Sequence, residues 1–188
     1  MNTVAIEQRN KIHPHKFTMW IGIASIVMMF AGLTSAYIIK RSQALWVTFD
    51  LPTEFIYSTV AIVLSSITLY MAEKAFKERN AVKYKSLVVI TFLLGLLFVA
   101  LQAVGFNELW KTGMTLTANV SFSFLYVIVG LHGLHVLGGI VALLVLFLKS
   151  FSKKVKNYNI VPIQVMSTYW HFVDILWIYL FIFLIMIK

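Results

Sequence analysis

The sequence predicts an all-α integral membrane protein, a bundle of five transmembrane helices. Three observations predict it. Of 188 residues, 60% are hydrophobic and only 12% are charged, whereas a soluble globule carries about 25% charged residues. That is too little polar surface to face water. Five apolar runs reach the roughly 17–25 residues that a helix needs to cross a bilayer. None of them alternates polar and apolar residues over about 10 positions, as a barrel strand would. A spanning segment must satisfy its backbone groups internally, and a helix does so.

The first span is 17–39, behind a polar tail of residues 1–16. That tail, and the length of the run, differ from a cleavable signal with its apolar core of about 7–15 residues. The second span is 55–72, the third 86–106, the fourth 119–148 and the fifth 163–187. The fourth is long enough to tilt or to project from the bilayer. Pro14, Pro52 and Pro162 lie at or just before span starts, where a missing N–H costs least. Gly22, Ala31, Gly32, Ser35 and Ala36 in the first span, and Ser58, Ala61, Ser65 and Ser66 in the second, are read as allowing close helix contact. The chain divides into the tail and a single five-helix domain, 17–188, with no internal repeat and no domain-sized soluble loop.

The net charge of +9 does not indicate nucleic acid, because the cations sit in short clusters between apolar runs. Loops beside anionic headgroups fit that pattern. Arg9, Lys11, Lys16, Lys74, Lys77, Arg79, Lys83, Lys85, Lys149, Lys153, Lys154 and Lys156 fall on one side. Lys40, Arg41, Lys111 and Lys188 fall on the other. The positive-inside rule then places the N-terminus in the cytoplasm and the C-terminus outside.

The absence of cysteine excludes disulfides, covalent c-type haem, cysteine-ligated iron–sulfur clusters and thiolate copper centres in this chain. The ionisable residues inside the spans are few. Asp174 sits about 18 Å into the fifth span at 1.5 Å per residue, where a charge costs at least about 2.5–3.5 kcal/mol. It must face the bundle with a partner, or be neutral. His171 lies three residues back on the same face. His132 and His135 in GLHGLHVLGG lie at a similar depth on the antiparallel fourth span. The reading is that Asp174 and these histidines form one buried polar cluster, with Gly130, Gly133, Gly138 and Gly139 letting a neighbouring backbone approach. Gln102 and Asn119 lie nearer the outer side.

Three functions compete for such a cluster. It can be a hydrogen-bonded clamp between helices, a metal or bis-imidazole haem site, or a proton relay. The histidines are too few for a haem–copper centre. The first three spans supply no interior acid for a relay across the membrane. Tyr169, Trp170, Trp177 and Tyr179 are read mainly as packing residues, several being too deep for an interfacial belt.

Three stretches carry a resemblance. YWHFVDILW (169–177) resembles the closing helix of subunit III of the haem–copper terminal oxidases. GLHGLHVLGG (130–139) resembles the preceding helix of that subunit, and LLFVALQAVGFNEL (96–109) the stretch around its Leu-Gln pair. The resemblance covers about residues 16–188 and points to the short five-helix bacterial form, in the bacterial inner membrane. It implies an accessory subunit of a proton-pumping oxidase that reduces oxygen with cytochrome c or quinol. Such a subunit binds no haem or copper. It packs beside subunit I, which holds those groups, and beside other oxidase subunits, and it retains structural phospholipids. By the same resemblance His132, His135, Trp170, His171 and Asp174, with Gln102, become structural or proton-supporting residues, with no catalytic residue in this chain. One departure is Ile26, which stands where many members have glutamate; another is Glu108, which comes later than the family's acid after the Leu-Gln pair. An accessory protein of a nitric oxide reductase, a self-sufficient b-type cytochrome using His171 with His132 or His135, and a small transporter are the alternatives.

Overall fold

The computed structural model describes residues 14–42, 46–151 and 160–187. Arg9, Lys11, Lys153, Lys154, Lys156, Lys188 and the side chain of Lys149, all used in the charge argument, lie outside the described residues. Within them are five helices: α1 (Pro14–Arg41), α2 (Glu54–Lys77), α3 (Ala81–Lys111), α4 (Val120–Phe151) and α5 (Val161–Met186). Each is long and apolar enough to span a membrane.

The helices outrun the apolar runs. Once nucleated, a helix gains one hydrogen bond for each residue it adds. Lys74 and Lys77 therefore belong to the end of α2, and Lys83 and Lys85 to the start of α3. What the sequence suggested as a polar loop is only residues 78–80. Three N–H groups close it: Glu78 onto the carbonyl of Lys74, Arg79 onto Phe76 and Asn80 onto Ala75, each at 3.0 Å. Arg79 takes a positive φ of 58°, which costs a non-glycine residue about 1–2 kcal/mol. The Asn80 side chain then accepts from the Lys83 N–H at 3.1 Å, an N-cap for α3.

Helices α2, α3, α4 and α5 form a ring in that order, with α5 returning to α2. The α2–α3 hairpin is the most extensive pairing. Helix α1 stands outside the ring and, among the described helices, packs on α4 and α5. Phe55, Ile62, Phe98, Leu125, Trp170 and Trp177 fill the interior. The outer faces are apolar too: Ile56, Val60, Leu93 and Leu134 are all exposed. Helices apolar on every side suit a hydrocarbon solvent.

Glycines set the closest approaches, though not all of those the sequence suggested. A methyl group on Gly95 would lie 2.9 Å from the Trp170 ring; on Gly139, 3.0 Å from two atoms of the same ring; on Gly105, 2.7 Å from Phe55. At Gly130 and Gly133, and at Gly22 and Gly32 of α1, it would meet nothing within 4 Å. The G-rich stretch of α4 turns only its Gly138–Gly139 end toward α5. The remainder does not face a neighbouring backbone.

Gly139→Ala should destabilise the bundle by about 1–3 kcal/mol, the range for overpacking a filled site, whereas Gly133→Ala should cost far less. Thermal unfolding midpoints of the purified complex carrying each variant will show the difference.

Candidate functional site

Several polar groups of the interior converge on one face of α2. Ser58, Thr59, Ser65 and Ser66 repeat at intervals of seven, so they line one side of the helix. In hydrocarbon a hydroxyl proton needs an acceptor. Ser58 and Thr59 each donate to the Phe55 carbonyl, at 2.9 and 2.7 Å, and Ser65 donates to the Ile62 carbonyl at 2.6 Å. With the proton committed to the backbone, each oxygen can accept from another helix.

Donors from α5 and α3 meet these oxygens. Trp170 Nε1 donates to Ser65 Oγ at 2.9 Å, and Trp177 Nε1 to Thr59 Oγ1 at 2.9 Å. Gln102 Nε2 donates to Ser58 Oγ at 2.8 Å. His171 Nδ1 is hydrogen-bonded to Ser66 Oγ. Thr68 and Thr91 join α2 to α3 at 2.8 Å. Trp170, His171, Asp174 and Trp177 stand at i, i+1, i+4 and i+7, a spacing that turns one face of α5 to α2. Asp174 is buried, 3% exposed. Neither Asp174 oxygen has a hydrogen-bond partner among the described residues.

The histidines of α4 do not join this set, so the expected single cluster divides in two. His135 Nδ1 bonds the Leu131 carbonyl of its own helix at 2.7 Å. His132 is fully buried and neither ring nitrogen has a partner among the described residues. Its ring stacks on Trp177 at 4.9 Å, with Phe98 at 5.9 Å and Phe30 of α1 at 6.5 Å. The depth argument put His135 and Asp174 at one level, but helix rotation decides which neighbour each meets. Between α4 and α5 the polar link is instead Tyr169, whose hydroxyl donates to the His135 carbonyl at 2.9 Å. Tyr179 does the same for α1, donating to Thr34 Oγ1 at 3.2 Å. These tyrosines and tryptophans, read from sequence as packing residues, are also the hydrogen-bond donors. The hydroxyls on α2 were read only as small residues. The signal for their second role was the match of their seven-residue spacing to that of Trp170 and Trp177.

Among the described residues, no three His, Asp or Glu side chains converge as metal ligands. A bis-imidazole haem would need access to the nitrogens of His132 or His135. The first is shut between aromatic rings, so His132 does not fit a porphyrin.

A family model described as cytochrome c oxidase subunit III matches residues 10–187. A protein of Mycobacterium bovis named probable cytochrome c oxidase subunit 3 is 36% identical over 166 residues, covering 86% of this chain and 82% of its own. A likewise named protein of Nocardia farcinica is 34% identical over 166 residues, with the same two coverages. The cytochrome c oxidase subunit 3 of Bacillus sp. (strain PS3) is 29% identical over 181 residues, covering 94% and 85%.

Ser65→Ala should leave the Trp170 indole without an acceptor and cost about 0.5–2 kcal/mol, the scale of interhelical hydrogen bonds in membranes. Ser65→Thr, which restores the oxygen, should cost less. Detergent-resistance half-lives of the two complexes give the comparison.

Proposed function

The chain belongs to the cytochrome c oxidase subunit III family, and on that premise we propose that it carries out no redox chemistry itself, but braces the haem- and copper-bearing subunit I and holds lipid beside it. It is an accessory membrane subunit of a haem–copper oxidase, one component of an oxidoreductase complex with other oxidase subunits. The observation that carries the proposal is the character of the polar interior. Its indoles, its amide and one imidazole are bonded to hydroxyls of a neighbouring helix, an arrangement that stiffens a bundle and presents no reactive site. In this reading Trp170, His171 and Gln102 tie α5 and α3 to α2, while His132 and His135 shape the packing around Phe30 and Trp177.

Lipid retention rests on a groove of about 1020 Å³ between α1, α4 and α5, at the end where α1 and α5 begin. That is the upper end of small-molecule cavity sizes. Met19, Ile23, Ile26, Val145 and Met166 line it, a surface suited to acyl chains. Ile26 faces this groove, so a position that carries a carboxylate in many members of the family here offers only hydrocarbon. The clustered cations support an orientation with residues 1–16 and the α2–α3 turn in the cytoplasm of a bacterial inner membrane. The relatives' names favour cytochrome c over quinol as donor, and oxygen reduction over nitric oxide reduction. The enclosure of His132 speaks against a self-sufficient b-type cytochrome.

Two outcomes test this. An oxidase lacking the chain should begin oxygen consumption at nearly the normal rate but lose activity sooner during turnover. No initial activity from a fully metallated subunit I would contradict the proposal. The chain purified alone should show no reduced-minus-oxidised haem band in its visible spectrum.

A further inference from the structure

We propose that the outer groove between α3 and α4 is a socket for one aromatic side chain, a tryptophan or tyrosine on a transmembrane helix of another oxidase subunit, whose N–H or O–H donates to the Gln102 amide oxygen. The amide is oriented from inside the bundle. Ser58 has given its proton to the Phe55 carbonyl, so its oxygen accepts, and Gln102 turns Nε2 toward it at 2.8 Å. The other end of the amide, Oε1, is thereby directed away from Ser58. Gln102 is 7% exposed, and Oε1 has no hydrogen-bond partner among the described residues. Gln102 lines a pocket of about 210 Å³ between α3 and α4. His132 lines it too, a second buried side chain whose polar atoms have no partner among the described residues. The rest of the lining is aromatic, aliphatic or small, with Phe98, Phe106, Ala103 and Gly133 among it.

The chemistry of the pocket selects its occupant. An acyl chain has no proton to give, and an amide oxygen left unpaired in hydrocarbon is costly. The volume falls below the roughly 300–1,000 Å³ of small-molecule sites, which favours a single side chain over a bound metabolite. The mouth admits a close neighbour. Ala103, Gly130, Leu134 and Leu137 are exposed there, and a methyl group on Gly130 or Gly133 would meet nothing within 4 Å. Small residues of this kind let a second membrane helix approach. Inside the bundle the same two parts are already in use. Trp170 lies over Gly95 and Gly139, and its N–H is bonded to the fixed oxygen of Ser65. In the α3–α4 groove the small residues and the oriented acceptor recur, but no ring of the described residues lies over Gly130 or Gly133. Tryptophan and tyrosine bring apolar area and a donor together, which is why they anchor interfaces. The inference rests on the accessory-subunit reading above, and adds which face a neighbouring subunit covers and with what.

Photo-crosslinking in the intact oxidase, in native membranes, tests this. Benzoylphenylalanine is placed at the mouth, in place of Leu134 or Leu137. Irradiation should join each variant to one other oxidase subunit, at a transmembrane peptide that contains tryptophan or tyrosine. Gly133→Leu, which fills the pocket from a position with open space around its Cβ, should lower the crosslink yield by roughly fivefold or more, the scale of overpacking a filled contact. Gly133→Val gives the smaller step should the leucine variant not assemble. Replacing the mapped tryptophan or tyrosine by leucine should lower the yield likewise. Adducts with lipid or another small molecule alone, a mapped peptide without tryptophan or tyrosine, or an unchanged yield in both Gly133 variants would overturn the socket. With the chain still co-purifying with the oxidase, any of these leaves the accessory reading standing. A chain that co-purifies with no oxidase subunit would overturn both.

Discussion

The indole of Trp170 touches three other helices at once. Its ring lies over Gly95 of α3 and Gly139 of α4, and its N–H bonds to Ser65 of α2. In water such a wedge would be helped by the hydrophobic effect. In a bilayer the lipid tails are as apolar as the ring, so close packing and the hydrogen bond must supply the association. Both depend on small residues at fixed places. A side chain at either glycine would push the ring away from its neighbours, and without the Ser65 oxygen the N–H would face hydrocarbon. Trp177 repeats the arrangement seven residues on, with its N–H on Thr59 and its ring stacked on Phe55 and His132.

The same constraint accounts for the serines and threonines of α2. A hydroxyl alone in oil is a liability, but one that donates to its own helix becomes a clean acceptor. A row of them makes α2 the acceptor face of the bundle, and α3 and α5 supply the donors. At Ser58, Thr59 and Ser65 the donor comes from α3 or α5 and the acceptor from α2, so correct neighbours are distinguished from incorrect ones by chemistry as well as by shape. A frame specified in this way suits the bracing role proposed for the chain.

The polar and apolar halves of the molecule also divide its roles. Helix α1 joins the ring through Tyr179 and Thr34, and through aromatic packing of Phe30 on the two histidines of α4. Its contacts leave a wide apolar groove against α4 and α5. His171, bonded to Ser66, lies on the face of α5 that turns to α2.

The sequence by itself determined the solvent, the number of helices and the depth of every polar residue, because hydrophobic length and a rise of 1.5 Å per residue are properties of a single chain. It also determined that Asp174 must turn inward, since burial of an acid in oil permits little else. Only the tertiary structure decided which helix each polar group meets. His132, His135 and Asp174 lie deep in the spans, yet rotation about the helix axes sends Asp174 and His171 toward Ser66, His135 onto its own backbone and His132 among aromatic rings. Gly95 carries no special signal in the chain, and Ser65 only its seven-residue spacing from Ser58. They become indispensable when the packed bundle brings the Trp170 ring against them, because neighbour choice is a property of several helices together.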